Sequence, residues 1–190
     1  MSLRFHWFLP TNGLPILERR GLWRHPAPPR EAPQTLNPFA PMRQSSNTLA
    51  KELGGADNHL VIDLAEHASR LFDWSDPELS SLTAEVAAAD ILIVASPTYK
   101  ATYTGMLKAF LDRYPSNGLV GVTAVPVMTG GWPGHLLSVE VHLRPVLVEL
   151  GATVPARGLY VTEPELADLD KAITRWSEAA TPLIKRSVTT

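Results

Sequence analysis

The hydrophobic positions after residue 45 change their spacing several times, and each change predicts a new element. Residues 91–95 are continuously apolar, which is typical of a strand that is buried on both faces. The tripeptide Asp76-Pro77-Glu78 indicates a helix start, and the apolar residues after it recur at helical spacing. Short apolar runs predict strands at 59–64, 91–95, 120–128 and 152–161. The same reading predicts helices at 46–53, in the dozen residues after position 76, between positions 99 and 115, at 136–150 and at 169–180.

Strands that alternate with helices predict one α/β domain with a parallel sheet and with helices on both of its faces. One residue disturbs this regular pattern. Pro145 lies inside the helix predicted at 136–150 and should kink that helix near Val141, because proline lacks the amide donor and its ring strikes the carbonyl four residues back. Gly151 is expected to end the helix.

Composition separates the first 42 residues from the rest of the chain. No Lys, Asp, Val or Tyr occurs before residue 51, and seven of the 17 prolines lie within residues 14–44. We therefore expect an irregular, Pro- and Arg-rich segment over 1–42 and one domain over 43–190. We expect neither a secretory leader nor a membrane span, since every apolar run is too short for either.

Charge and motif content exclude several classes of function. The formal net charge is −2 and acids and bases are interspersed, which indicates no surface for nucleic acid or anionic lipid. The chain has no cysteine, which excludes disulfides and thiol chemistry and agrees with a cytoplasmic location. The histidines are scattered without metal-ligand spacing, and no G-x-S-x-G, Walker or G-x-G-x-x-G motif is present. We therefore predict no metal site and name no catalytic side chain.

A first candidate site lies where the helix predicted at 46–53 begins. Free backbone N–H groups and the positive end of the helix dipole can hold a phosphate there, and Arg43, Ser46 and Thr48 could complete its binding. The alternative is that Ser46 is an ordinary helix cap and Arg43 a solvated residue. That alternative is favoured on this motif alone.

A second candidate is the loop formed by Pro97, Thr98, Tyr99 and Lys100, which follows the buried strand at 91–95. Open parallel sheets bind ligands just beyond the carboxyl ends of their strands. Backbone N–H groups after Pro97 can face a polar ring edge, and the ring of Tyr99 can lie against a planar cofactor. Alternatively, Tyr99 packs beneath its own loop and Lys100 faces water.

A third candidate, Thr129-Gly130-Gly131, follows the next predicted strand. Glycine has no Cβ, so backbone at this turn can approach a ligand closely. An ordinary tight turn is the alternative. The position of this turn beside the loop at 97–100 favours a shared binding site.

These motifs together resemble the NAD(P)H-dependent FMN reductases, most closely those that supply reduced flavin to sulfonate monooxygenases. The resemblance rests on Ala-Ser-Pro-Thr-Tyr-Lys-Ala-Thr-Tyr-Thr-Gly-Met-Leu-Lys-Ala-Phe-Leu-Asp at 95–112, Met-Thr-Gly-Gly at 128–131 and His-Leu-Arg-Pro-Val-Leu-Val-Glu-Leu-Gly-Ala at 142–152. It implies a flavodoxin-like three-layer sandwich with strand order 2-1-3-4-5, usually in homodimers or homotetramers. It also implies NADPH or NADH as the reductant.

The resemblance assigns FMN to the three candidate sites. It implies that the phosphate is bound by Arg43, Ser46 and Thr48, and that the ribityl chain and isoalloxazine ring are bound at 97–100 and 129–131. Tyr103 matches a tyrosine near the subunit interface in the sulfonate-linked branch, or else it is one more core aromatic. Alternative functions are a quinone, azo-dye or metal-ion reductase on this scaffold, and a non-catalytic or damaged flavin-binding protein.

The beginning of the chain departs from the family pattern. Family members begin with a strand that leads into a Gly-x-Pro-Arg loop, whereas this chain has Ala40-Pro41-Met42-Arg43 there. Residues 1–13 instead resemble the start of luciferase-like sulfonate monooxygenases. We hypothesise that a fusion or frameshift replaced the first strand, whose place residues 3–9 could take.

Overall fold

The computed structural model describes residues 60–188 together with Leu49, Glu52 and Leu53. Three strands form a parallel sheet in the order of the chain: β1 (Ile91–Pro97), β2 (Thr123–Gly130) and β3 (Leu159–Thr162). The α-helices are α1 (Pro77–Ala87), α2 (Gly105–Leu111), α3 (Arg144–Glu149) and α4 (Leu169–Val188). Short 3₁₀-helices occupy Leu64–Arg70, Pro133–His135 and Glu163–Asp168, and a π-helix occupies Val139–Leu143. No helix in this described part of the chain is long and apolar enough to cross a membrane.

Successive residues of β1 point to opposite sides of the sheet, as the continuous apolar run predicts. Leu92 and Val94 pack into a cluster with α1, α2 and the π-helix. Ile91 and Ile93 pack into a second cluster with α4 and with Leu49. Helices therefore cover both faces, which confirms the predicted three-layer α/β architecture.

The strongest local predictions describe real elements. Asp76 caps α1 by accepting a hydrogen bond from the N–H of Leu79, and Leu79 is fully buried. The helix predicted before position 115 is α2. Nearer the start of the chain, the N–H of Leu53 donates to the carbonyl of Leu49 at 3.0 Å, in agreement with the helix predicted at 46–53. Ser46, the expected cap of that helix, and the strand hypothesised at 3–9 lie outside the described residues.

Three predicted strands differ from the structure. The strand predicted at 59–64 is not continuous over 60–64, where only Ile62 has a β-bridge. The chain enters a 3₁₀-helix directly after Asp63, which caps it. The strand predicted to begin at residue 120 begins at Thr123, since the preceding turn contains Gly121 at φ +89°. The strand predicted at 152–161 is interrupted: Thr153 forms an isolated parallel bridge with Thr123, and the continuous strand β3 begins at Leu159. Arg144 accounts for part of that change, because its guanidinium binds the carbonyls of Val154 and Ala156 and so withdraws them from sheet pairing.

The helix predicted at 136–150 is divided, and the disturbance predicted near Val141 is the π-helix. The N–H of Arg144 donates to the carbonyl of Val139, five residues back. Pro145 follows in the first turn of α3, where its missing N–H costs little. Gly151 ends the helix at φ +88°, as predicted. The last helix continues to Val188 rather than residue 180, because Ile184 is still buried against the sheet.

Candidate functional site

The loops predicted to bind a ligand meet at the carboxyl ends of β1 and β2. Pro97 is paired with Thr129 in the sheet register. Just beyond that pair, the N–H of Thr98 donates to the carbonyl of Thr129 at 2.7 Å. The structure therefore brings the second and third candidate sites together at one edge of the sheet, which is where ligands of open parallel sheets bind.

The loop after β1 is fixed at both ends by one hydroxyl group. Ser96 is fully buried; its Oγ accepts from the N–H of Thr104 at 3.0 Å and donates to the carbonyl of Pro97 at 3.0 Å. Thr104 in turn caps α2 through a bond from the N–H of Leu107. Residues 97–103 are thus held between the strand and the helix.

A tight turn shapes the middle of this loop. Tyr99 and Thr102 exchange two backbone hydrogen bonds, of 2.8 and 3.2 Å, around Lys100 at φ 52° and Ala101 at φ 65°. Two successive left-handed residues form the type I′ turn that usually requires Asn and Gly. Each residue of this conformation costs roughly 1–2 kcal/mol without glycine, and such strain concentrates at functional sites. The turn displays Tyr99, which is 61% exposed.

Gly130 forms the close approach between the two loops. A Cβ atom built on Gly130 would lie 2.2 Å from the hydroxyl of Tyr160 and 3.2 Å from the Cβ of Thr98. At Gly131, a Cβ would lie 3.1 Å from a carboxylate oxygen of Glu163. Position 130 therefore requires glycine, because Tyr160 and Thr98 fill the space of a side chain; the approach of this turn to a ligand stays a prediction.

Thr98 supplies a polar group that has no partner in the described part of the chain. Its Oγ1 is buried and makes no hydrogen bond there. A buried hydroxyl without a partner costs about 1–3 kcal/mol, so an unpaired one in a loop indicates a group that a ligand can satisfy. The orphaned hydroxyl therefore makes Thr98 a candidate ligand contact at the edge where the two loops meet.

The carboxyl end of β3 is closed by the protein itself. Glu165 accepts from the N–H of Thr162 at 2.9 Å and pairs with Arg175 at 2.9 Å. The bond from Thr162, followed by the bond from Arg175, lowers the pKa of Glu165 below its ordinary value. The N–H of Thr162 at this strand end is thus already paired within the protein.

Reasoning from the sequence missed two aromatic residues beside the site. Tyr160 is buried on β3, and its hydroxyl donates to the carbonyl of Trp132 at 3.3 Å. Trp132 follows the Gly130-Gly131 turn and is 62% exposed. Their contact with the turn depends on strand pairing, which no local pattern reveals.

The remaining predicted residues have different outcomes. Arg43, Ser46 and Thr48 lie outside the described residues, so their role in phosphate binding stays a prediction. Lys100 is exposed in the tight turn. Tyr103 is half-buried and packs against the core, which agrees with the core-aromatic alternative.

Comparison with known proteins identifies the family. A sequence model described as NADPH-dependent FMN reductase matches residues 42–165. FMN reductase (NADPH) of Escherichia coli strain K12 is 40% identical over 95 residues, which cover 50% of this chain and 50% of that protein. NADH-dependent FMN reductase SfnF of Pseudomonas fluorescens strain Pf0-1 is 33% identical over 135 residues, 65% of this chain and 70% of that protein. The chain thus spans about half the length of the first of these relatives.

Solved structures share the fold. A structure of the NADH:FMN oxidoreductase EMOB in its apo form superimposes with a TM-score of 0.64 and 26% identity, over 93% of this chain and 89% of that one. A flavodoxin-like WrbA-like protein from Agrobacterium tumefaciens gives a TM-score of 0.54 at 12% identity, over 98% and 99% of the two chains. The architecture is therefore flavodoxin-like, and the chain belongs to the NADPH-dependent FMN reductase family.

Proposed function

We propose that the chain is an NAD(P)H:FMN oxidoreductase that binds FMN at the carboxyl ends of β1 and β2. The observation that carries this proposal is that the loops after β1 and β2 meet at one edge of the sheet, where the Thr98 hydroxyl is buried and has no partner in the described part of the chain. When bound, FMN supplies the redox chemistry by accepting a hydride from the nicotinamide. The protein's own task is then to bind and orient two planar substrates.

The predicted residues divide that task. Thr98 offers its hydroxyl to a polar edge of the ring, and Gly130 with Gly131 lets backbone approach it. Pro97 and Thr129 fix the ends of the two strands, while Tyr99 presents an exposed aromatic face and Lys100 a positive charge. Arg43, Ser46 and Thr48 are proposed to bind the phosphate. No side chain has to act as an acid or a base.

The physiological context is also a proposal. Relatives carry names that specify NADPH in some cases and NADH in others, so either nucleotide can be the reductant. By resemblance, the reduced flavin would pass to a flavin-dependent monooxygenase that acts on sulfonates. We also expect a cytoplasmic homodimer or homotetramer, in keeping with the resemblance and with the absence of cysteine.

Thr98→Val tests the proposed site, because valine keeps the shape of the side chain and removes the hydroxyl. The dissociation constant of FMN, measured by quenching of flavin fluorescence, should rise about threefold to tenfold. Thr181→Val is the matched control, since Thr181 also has a buried hydroxyl without a partner in the described part of the chain but lies in α4. Its FMN affinity should equal that of the wild type.

Three outcomes would contradict the proposal. The site is wrong if Thr98→Val binds FMN as tightly as the wild type does. It is also wrong if both variants lose affinity equally. The function is wrong if the wild-type protein neither binds FMN nor oxidises NADPH or NADH when FMN is added. Faster turnover with quinones, azo dyes or metal ions than with FMN would instead support the alternative reductase.

A further inference from the structure

Trp132 is an exposed aromatic side chain at the edge of the proposed flavin site. It follows the Gly130-Gly131 turn directly, and 62% of its surface is exposed. Tryptophan is largely buried on average in folded proteins, whereas this one is mostly exposed beside the proposed site. Trp132 is therefore accessible next to the turn that we propose to contact the flavin.

The indole of Trp132 is held in place although it is exposed. Its six-membered ring lies against Gly134, where a Cβ would be only 2.4 to 2.5 Å from the ring atoms. The imidazole of His135 crosses the indole at 89°, with 4.9 Å between the ring centroids. Pro133 restricts the chain that follows, and the hydroxyl of Tyr160 donates to the carbonyl of Trp132.

A fixed and exposed aromatic plane is suited to stacking. Binding a flat ligand to a side chain that is already immobile loses little rotamer entropy, so more of the contact energy remains for affinity. The proposed reaction needs a second planar ring close to the flavin, because hydride transfer requires the reacting atoms to be in near contact. Trp132 stands only two residues from Gly130, in the turn that we propose to contact the flavin.

We propose that the Trp132 indole is a stacking surface for a ring of the nicotinamide nucleotide. This inference rests on the proposed function, and it assigns to the reductant a contact that the flavin-binding loops do not supply. The cationic Lys100 in the neighbouring loop adds favourable charge for the phosphates of such a nucleotide. Gly134 is required in this arrangement, since any side chain there would displace the indole.

Trp132→Ala tests the inference against a matched control, Trp74→Ala. Trp74 is equally exposed, at 62%, but it lies beneath the guanidinium of Arg113 at 5.4 Å and far along the sequence from the proposed site. Trp132→Ala should raise the KM for NADPH or NADH about tenfold and leave the dissociation constant of FMN unchanged. Trp74→Ala should change neither quantity.

A second readout does not depend on turnover. Titration with NADP⁺ or NAD⁺ should quench the intrinsic fluorescence of the wild type and of Trp74→Phe, and the quenching should be largely lost in Trp132→Phe. This binding signal remains measurable even if the protein fails to reduce FMN, so failure of the inference and failure of the proposed function can be told apart.

Other results would overturn the inference. If Trp132→Ala weakens FMN and not the nucleotide, the indole contacts the flavin instead. If it changes the oligomeric state in size-exclusion chromatography with light scattering, the residue belongs to a contact between subunits. If Trp132→Ala and Trp74→Ala behave alike in every assay, the indole has no role in binding the nucleotide.

Discussion

Replacing Gly130 by alanine should damage both the fold and the flavin site, and the structure identifies the atom responsible. The added methyl would lie 2.2 Å from the hydroxyl of Tyr160, whereas real Cβ atoms essentially never approach another heavy atom closer than 3.0 Å. The hydroxyl would have to move by nearly an ångström. Tyr160 cannot easily make this movement, because the residue lies in β3 and is only 8% exposed.

The expected cost follows from this geometry. Overpacking a buried position by one methyl typically destabilises a protein by about 1–3 kcal/mol. For a chain of this size each kcal/mol lowers Tm by about 2–4 °C. Tyr160→Phe alone should cost about 0.5–1.5 kcal/mol, since it removes one hydrogen bond to Trp132. In the double variant the added methyl occupies the space that the hydroxyl leaves, so most of the clash disappears.

Urea unfolding of the wild type, both single variants and the double variant measures this coupling. We expect the double variant to be more stable than the sum of the single effects predicts, by at least about 1 kcal/mol. FMN affinity should recover in parallel. Strict additivity would refute the reasoning, because it would mean that the Tyr160 hydroxyl does not occupy the space beside Gly130.

Two further predictions concern the supports of the site and of the fold. Ser96→Ala leaves the buried N–H of Thr104 without its acceptor, so the free energy of unfolding measured in urea should fall by about 1–3 kcal/mol. FMN binding should also be weaker. Unchanged stability would contradict the role of Ser96. The hydrogen bond from the N–H of Leu79 and, to a smaller extent, the charge of Arg70 hold the pKa of Asp76 below its ordinary value of 3.8. The ionised Asp76 therefore contributes its full stabilisation above pH 3.8, and this stabilisation is lost as pH falls through the lower pKa of the folded state. Between about pH 5 and about pH 2, the urea midpoint should fall less in Asp76→Asn than in the wild type. Equal declines would contradict this role of Asp76.

The elements that could be predicted from sequence are those determined by local chemistry. Residues 91–95 are apolar at every position, and that pattern fits a strand covered on both faces and little else. Asp76 followed by Pro77 is a strong helix start, since the carboxylate accepts from a free N–H and proline is tolerated in the first turn. Gly151 ends a helix because its φ of +88° suits glycine.

The predictions that failed depend on contacts between distant parts of the chain. The strand predicted at 152–161 has a suitable apolar composition, yet Arg144 binds the carbonyls of Val154 and Ala156, and the pairing with β2 is limited to an isolated bridge at Thr153 and to β3. The turn at Lys100 and Ala101 contains no glycine or asparagine, so its two left-handed residues could not be predicted from sequence. Their conformation is imposed by the anchoring of the loop, which sequence pattern does not show.

The candidate site likewise has a part that could be predicted from sequence and a part that depends on contacts between distant residues. That the loops at 97–100 and 129–131 meet at one edge of the sheet follows from parallel-strand topology and could be predicted; their contacts with a ligand stay a prediction. The surroundings of those loops come from the neighbouring strand: the Tyr160 hydroxyl donates to the carbonyl of Trp132 beside the turn, and Glu165 accepts from the N–H of Thr162 at the end of β3. Because Tyr160 packs against Gly130 and Glu165 binds the last residue of β3, the arrangement of the candidate site depends on β3 even though its proposed ligand contacts do not.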